Sequence, residues 1–283
     1  MKKFTYFDHG HRGALPPDLA ALIGDRSRAA ATREFIDAMT QIARDYHAAV
    51  DAYNMTHADI ARVKLHAPDI FGQRVKIDYI ASGTAASVYK VTIGDVTFAL
   101  KINRQDRTWA SDLEDMHNAR AARHLANRPH IGATFDVDGE TYSWIVSDYV
   151  ATTHPKDYAR AREKLYMAAL TRGIDYTDLT DENIKGGKVI DISGLRRHKI
   201  DLGRGDLDRV KKFVYKMRTG DLNGFVALAQ DALTDAPDVL RHLYWTMQDL
   251  KRDMFIERFA PFYDVVAAFY RMIPHTIGSG QSR

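Results

Sequence analysis

The stretch RVKIDYIASGTAASVYKVTIGDVTFALKIN, residues 74–103, decides how the rest of the chain is interpreted. It is rich in Val, Ile, Tyr and Thr, which favour strands, and small or turn-forming residues interrupt it twice. Strands are therefore predicted at 74–82, 86–93 and 96–103, with Gly94-Asp95 as the tight turn of a hairpin. This part of the chain is predicted to be an antiparallel three-stranded meander.

The segments on either side of the meander have mostly helical periodicity. Residues 1–68 carry apolar side chains at three- and four-residue steps, most clearly between 29 and 53. A helix at 112–125 and short strands at 134–137 and 142–149 are expected after the meander. From about residue 156 the pattern is helical again, except for a loop at 174–187 and a short strand at 188–192. The predicted fold class is α+β.

Composition excludes several classes of protein. The 283 residues include no cysteine, so disulfide scaffolds, thiolate zinc sites and cysteine nucleophiles are ruled out. The net charge of +3 gives no sign of a nucleic-acid partner. No apolar run reaches the ~18–20 residues of a membrane span, and Asp8, His9 and His11 interrupt the place where a Sec signal would be apolar. We expect a cytosolic fold that has neither a Sec signal nor a membrane span.

Two groups of residues in the meander suit the binding of nucleotide phosphates. The turn at 80–88, IASGTAASV, has small residues that permit close approach of the backbone, although alanine lacks the freedom of glycine at positive φ. Lys101 lies between Leu100 and Ile102 on an apolar strand, thirteen residues after Val88. A plain hairpin turn and an edge-strand lysine that prevents aggregation are the alternative interpretations.

Two further groups follow in the loop after the predicted helix at 158–173. Asp178 and Asn183 are five residues apart, and Asp191 comes eight residues later at the end of an apolar strand. Oxygen ligands of this kind suit a hard cation that bridges phosphates. Each group alone also fits an ordinary turn, but the order and spacing of all four favour phosphoryl transfer from a nucleotide.

On these residues the chain resembles the protein-kinase superfamily over about residues 74–194. Asp178-Leu-Thr180 and Asp191-Ile-Ser193 are similar to the motifs of compact atypical Ser/Thr kinase effectors, virulence proteins that enteric pathogens inject by type III secretion. The resemblance implies a two-lobed fold with a small antiparallel-sheet N-lobe and a reduced helical C-lobe. Its expected parts are a helical extension at 1–68, an N-lobe at 69–147, a hinge at 148–152, a C-lobe at 153–275 and a tail at 276–283.

The resemblance also implies an activity and its cofactors. The expected enzyme uses ATP and Mg²⁺, or Mn²⁺ in its place, to phosphorylate Ser or Thr of a protein, either a host target or itself. It would be secreted into the host cell cytoplasm, with the bacterial cytoplasm as the alternative. A small-molecule phosphotransferase of the aminoglycoside or choline kinase type, a kinase-fold binding module and an AMP-transferring enzyme remain alternatives.

Roles follow from the resemblance position by position. Lys101 would pair with phosphates and with a helix acid, best matched by Glu114, with Asp112 and Asp115 as competitors. Asp178 would be the catalytic base, and Asn183 and Asp191 would be the metal ligands. The remaining contacts to ATP would come from Ile80, Ala81, Gly83 and Val88 and from backbone groups of Asp148 and Val150.

Two departures from the family pattern carry expectations of their own. Tyr176 and Thr177 replace the family's His-Arg, and few residues separate Gly194 from a helix expected at Asp206, so activity is predicted not to depend on phosphorylation of an activation loop.

The stretch 195–218 holds nine Lys or Arg against three Asp. It is interpreted as a solvated helix face or as a docking surface for an acidic partner.

Overall fold

A computed structural model describes residues 6–8, 14–50, 55–83, 85–104, 116, 118–119, 122, 124–151, 155–177, 179–254 and 256–274. The chain divides into two compact units. The first comprises Met1–Thr152 and Lys188–Ser193, and the second comprises Thr153–Gly187 and Gly194–Arg283. The α+β class is confirmed, because the first unit is built around a sheet and the second is mostly helical.

Elements of the first unit are numbered in chain order. They are β1 Tyr6–Asp8, α1 Arg28–Ala49, α2 His57–Arg62, β2 Val75–Ser82, β3 Ala86–Ile93, β4 Val96–Asn103, β5 Pro129–Val137, β6 Glu140–Asp148 and β9 Lys188–Val189, with a short 3-10 helix at Pro17–Leu22. Strands β1 to β6 form one antiparallel sheet in the order β1-β5-β6-β4-β3-β2. The predicted meander β2-β3-β4 is confirmed.

Strand β1 departs from the prediction that residues 1–68 are helical. Its three residues pair with β5 at the edge of the sheet, with Tyr6 opposite Ala133. So short a strand forms through pairing with an existing sheet, and such pairing leaves no periodicity in the local sequence. The helix expected at 112–125 falls mostly outside the described residues.

Helix α1 forms one side of the main core. Ser27 begins it, with a side-chain oxygen that accepts from the Ala30 backbone N–H at 3.2 Å. The apolar stripe predicted from the sequence is buried from Phe35 to Tyr46 and at Val50, and it packs with one face of the sheet. Ala49 is exposed, and Tyr53 lies outside the described residues. Every second residue of the neighbouring strands contributes to this core, namely Tyr89, Val91 and Ile93 of β3 and Phe98, Leu100 and Ile102 of β4. Because side chains of a strand alternate between faces, Lys101 lies on the face opposite α1.

The second unit contains the remaining elements. They are α3 Pro155–Arg172, β7 Ile174–Tyr176, β8 Ile184–Lys185, β10 Leu195–Arg197, α4 Arg204–Thr219, α5 Leu222–Asp235, α6 Pro237–Asp253 and α7 Ala260–Met272, with 3-10 turns at Asp181–Asn183 and Glu257–Phe259. Phe213, Phe225 and Phe262 join α4, α5 and α7 through ring contacts of 4.9 and 5.0 Å. No helix in the described part of the chain is long and apolar enough to cross a membrane.

The segment around residue 190 is less regular than predicted. A strand was expected at 188–192, whereas β9 ends at Val189 and a short 3-10 turn follows at Ile192–Gly194. In the second unit, β10 then pairs antiparallel with β7, with Leu195 opposite Tyr176. Helix α4 begins at Arg204, two residues before the predicted start. Only residues 198–203 therefore separate β10 from α4.

Candidate functional site

The centre of the candidate site is an ion pair between Lys101 and Asp191 in the first unit. The Lys101 Nζ donates to Asp191 Oδ1 at 2.8 Å, and the two side chains are 20% and 34% exposed. Strand β4 presents Lys101 between Val88 on β3 and Ile145 on β6. Partial burial strengthens the attraction relative to an exposed pair, because less water screens the charges. A cation and a carboxylate that are 90 residues apart in sequence thus meet on the face opposite α1.

Glu114, Asp112 and Asp115, the acids expected to pair with Lys101, lie outside the described residues, so their competition stays a prediction. Among the described residues, Lys101 pairs with Asp191, which was predicted as a metal ligand. The group predicted to contact phosphates and one group predicted to bind the metal are therefore adjacent.

Asn127, which was missed in the sequence, fixes strand β9, which ends two residues before Asp191. Its backbone N–H donates to the Val189 carbonyl at 2.6 Å, and the Val189 N–H donates to the Leu125 carbonyl at 2.7 Å. The Asn127 Nδ2 also donates to the Asp148 carbonyl at 2.5 Å. The buried Asn127 therefore ties β9, through its backbone N–H, to the end of β6, through its side-chain amide. No local pattern marks such a residue, because all its partners are distant in sequence or belong to the backbone.

Asp148 is half-buried at the end of β6. Burial acts to raise the pKa of its carboxyl, but the hydrogen bond and charge of His130, with Lys188 and Arg128, lower that pKa below its ordinary value. The His130 Nε2 lies 2.5 Å from Asp148 Oδ1. The backbone N–H of Asp148 donates to the Arg128 carbonyl at 3.2 Å. The N–H and the carbonyl of Asp148 thus already have protein partners, and only the second lone pair of its carbonyl oxygen is left for a ligand. Val150, the other residue predicted to contact adenine, is half-buried just after β6, and its contact stays a prediction.

The turn between β2 and β3 holds the other predicted contacts to ATP. Register places Ala81 opposite Val88, with an irregularity between Tyr79 and Ala81 that includes Ile80. The Gly83 N–H donates to the Ala86 carbonyl at 2.8 Å, which closes a tight turn. Gly83 is exposed and its surroundings are open. A backbone segment of this kind leaves room for a ligand to approach.

The predicted catalytic loop belongs to the second unit. Asp178, the predicted base, lies outside the described residues. Asn183 ends the 3-10 turn Asp181–Asn183 and is half-buried. Around them, the N–H and Oγ1 of Thr177 donate to the Gly194 carbonyl at 3.0 and 3.3 Å, and Tyr158 donates to the Leu179 carbonyl at 3.3 Å. These bonds hold the residues on either side of Asp178.

The donors that the described residues offer to a metal ion are few. Among the described residues, no three His, Cys, Asp or Glu side chains form a group that could hold a metal ion. A Mg²⁺ ion that bridges phosphates needs only one or two protein oxygens and takes its other ligands from the nucleotide and water. The carboxylate of Asp191 fits that need.

Comparisons with known proteins add little to this description. No protein-family model matches the sequence, and no curated protein matches it. Among solved structures, the chain is similar to WaaP in complex with acyl carrier protein, with 12% identity over 70% of this chain and 89% of that chain and a TM-score of 0.30. At this identity and TM-score the likeness supports no conclusion about function.

Proposed function

We propose that the protein is an ATP- and Mg²⁺-dependent phosphotransferase of the protein-kinase superfamily. The observation that carries the proposal is the Lys101–Asp191 pair, because it joins two of the four groups that the sequence motifs assigned to one nucleotide site. ATP would supply the γ-phosphoryl group and leave as ADP, and the metal would neutralise charge on the phosphates. Lys101 would hold the α- and β-phosphate oxygens, Asp191 and Asn183 would provide oxygens to the metal, and Asp178 would accept the proton of the acceptor hydroxyl as its oxygen bonds to phosphorus.

The acceptor that we propose is Ser or Thr of a protein, either a host target or the enzyme itself. The short connection between β10 and α4 supports activity without activation-loop phosphorylation, since Thr177 and the β7–β10 pairing already hold this segment. Delivery into a host cell by type III secretion belongs to the same proposal and rests on the sequence resemblance alone. A small-molecule phosphotransferase is the second candidate, and the basic stretch 195–218 argues against a cationic substrate.

Intact mass after incubation with ATP and Mg²⁺ tests the activity. We expect the wild type to gain the mass of one or more phosphate groups, and Lys101→Ala and Asp191→Ala to gain none. Lys76→Ala is the matched control, because Lys76 pairs with Asp78 at 3.2 Å on the same sheet but is 73% exposed. This control should be modified like the wild type.

Other outcomes of the mass experiment separate the alternatives. A gain of one AMP mass would indicate nucleotidyl transfer, and ATP binding without modification would point to an external acceptor such as a small molecule. Neither modification nor ATP binding by the wild type would overturn the proposed function.

The partner that we propose for the basic stretch is acidic. On α4, Arg204, Lys211, Lys212 and Arg218 are exposed, while Val210, Phe213, Val214 and Met217 are buried. The helix thus packs one face and presents basic side chains on the other. Asp208 neutralises Lys211 at 2.7 Å, which leaves Lys212 and Arg218 as the better targets for mutation.

Charge reversal at α4 tests this surface. Lys212→Glu with Arg218→Glu should weaken binding of a fluorescent polyglutamate peptide, and should do so more at low salt, while ATP turnover stays unchanged. Lys64→Glu with Lys76→Glu, at two exposed lysines of the first unit, is the control, because it changes the net charge by the same amount. Equal binding by the α4 variant and this control would leave the helix as a solvated face.

A further inference from the structure

The turn at 81–86, of which residues 81–83 and 85–86 are described, is supported from the side of the sheet that α1 covers. Tyr46, near the end of α1, is fully buried, and its hydroxyl lies 2.8 Å from the Ser87 Oγ. Ser87 is also fully buried and directly follows the turn. The next residue of α1, His47, places its Nε2 2.9 Å from the Asn103 carbonyl oxygen. Register sets Asn103 of β4 opposite Ala86 of β3, so α1 is bonded to β3, which follows the turn, and to its neighbour β4.

Arg104 supports the turn itself. Its backbone N–H donates to the Ala85 carbonyl at 2.8 Å, and its Nη1 donates to the Gly83 carbonyl at 3.0 Å. The residue is only 7% exposed, so its guanidinium is committed to the protein interior. Its positive charge also acts to lower the pKa values of Tyr46 and Tyr89, which burial raises. Arg104 therefore belongs to the same buried polar cluster as the end of α1.

The hydrogen bonds of this cluster fix the conformation of the turn, which the sequence of the turn does not fix by itself. A backbone segment that binds phosphates gains affinity when its conformation is fixed before the ligand arrives, since less entropy is lost on binding. Two of the three motif positions are Ala81 and Ala86, and the remaining Gly83 has open surroundings. The contacts that hold the turn come instead from Arg104 and, through Ser87, from α1.

We infer that α1 and Arg104 form a fixed support that holds the turn at 81–86 in its nucleotide-binding conformation. Helix α1 buries ten of its residues, and its apolar face shares the core of the sheet, so it is part of the site's scaffold and not a detachable lid or targeting segment. The inference rests on the proposed function. It assigns Tyr46 and Arg104 as positioning residues for the phosphates of ATP.

The test compares the binding of ATP with that of adenosine, which lacks the phosphates. Tyr46→Phe and Arg104→Lys should each weaken ATP binding roughly three- to tenfold, the range expected for the loss of one buried hydrogen bond, and leave adenosine binding unchanged. Ser87→Ala removes the hydrogen-bond partner of the Tyr46 hydroxyl with a small change in volume. It should weaken ATP binding by the same factor, and it serves as the test if Tyr46→Phe or Arg104→Lys prevents folding.

Thr40→Val is the matched control. Thr40 lies two turns earlier on α1 and accepts a hydrogen bond from the Trp144 Nε1 at 3.1 Å, in the same core but away from the turn. This variant should lose thermal stability like Tyr46→Phe and keep the wild-type ratio of ATP to adenosine affinity.

Two outcomes would overturn the inference, and they are distinguishable. If the wild type binds ATP and the ratio is unchanged in Tyr46→Phe, Ser87→Ala and Arg104→Lys, or changes equally in Thr40→Val, the support has no role in phosphate binding. If the wild type binds no ATP, the proposed function fails and the inference fails with it.

Discussion

Glycines in two regions of the molecule serve different purposes. Gly83 lies in the turn of the first unit that matches the phosphate-binding motif, and a Cβ added to it would meet no atom within 4 Å. In the second unit, a Cβ on Gly173 would lie 2.2 Å from the His198 carbonyl oxygen, and one on Gly194 would lie 2.5 Å from the Tyr176 ring. The glycine of the motif is not required by packing, whereas the two glycines outside the motif are.

The reason is close packing in the second unit, of two backbones at Gly173 and of the Tyr176 ring against Gly194. Strands β7 and β10 pair beside the predicted catalytic loop, and the His198 N–H donates to the Gly173 carbonyl at 2.7 Å. Gly173 also has a φ of +63° where α3 ends. The sequence motif therefore indicates where a ligand can approach the backbone. The positions that must be glycine for packing are recognised only from the tertiary contacts of Gly173 and Gly194.

The largest effect that would test this comparison is expected from Gly173→Ala. The substitution adds strain at positive φ to a clash with a backbone carbonyl, and we expect a loss of about 4 kcal/mol of unfolding free energy. Urea denaturation followed by circular dichroism measures it. Because β7 leads directly into the loop with Asp178, phosphotransfer should fall with stability.

Gly220→Ala is the control for Gly173→Ala. Gly220 ends α4 with a φ of +72° but has nothing within 4 Å of an added Cβ. It should therefore cost only about 1 kcal/mol, from backbone strain alone. Equal losses in the two variants would show that the contact with His198 is unimportant and would remove the contrast with Gly83.

An intermediate effect is expected from pH, through His47 beside the turn of the first unit. Burial lowers the pKa of His47 from its ordinary 6.5, by more than the Asn103 hydrogen bond and the charge of Glu140 raise it. The unfolded chain then binds the proton more readily, so this stabilisation is complete above the ordinary pKa and is lost as pH falls through the lower folded pKa. Thermal unfolding from about pH 7 to about pH 5 should show a steeper loss for the wild type than for His47→Gln. Parallel curves would contradict the assignment.

The smallest effect is expected from Gly83→Ala. Since the site is open, the change in unfolding free energy should stay within about 0.5 kcal/mol of zero. Gly94→Ala in the neighbouring hairpin, with a φ of +57°, should cost more. If the turn contacts phosphates, Gly83→Ala will nevertheless weaken ATP binding, which isothermal titration measures. A large loss of stability would show that the turn is packed more tightly than its surroundings indicate.

Local patterns predicted most of the secondary structure but only part of the candidate site. The richness of residues 74–103 in Val, Ile, Tyr and Thr, with turn residues between the runs, located β2, β3 and β4. The Thr56–Asp59 capping box at the start of α2 is a local pattern of the same kind. The sequence also named Lys101 and Asp191 as functional residues. It did not indicate that they would pair, and it missed Asn127, Arg104 and Tyr46. These residues act through partners that are far away along the chain.

The amino-acid sequence by itself determined the α+β class, the meander, the helical stripe of α1 and the chemical types available for phosphoryl transfer. Such features depend on the period of a strand or helix and on caps and turns, which act over a few residues. Tertiary structure decided the meeting of Lys101 with Asp191, the pairing of β1 with β5, the support of the turn by α1 and the need for glycine at 173 and 194. Each of these depends on register and close packing between distant segments, where many weak contacts are satisfied together.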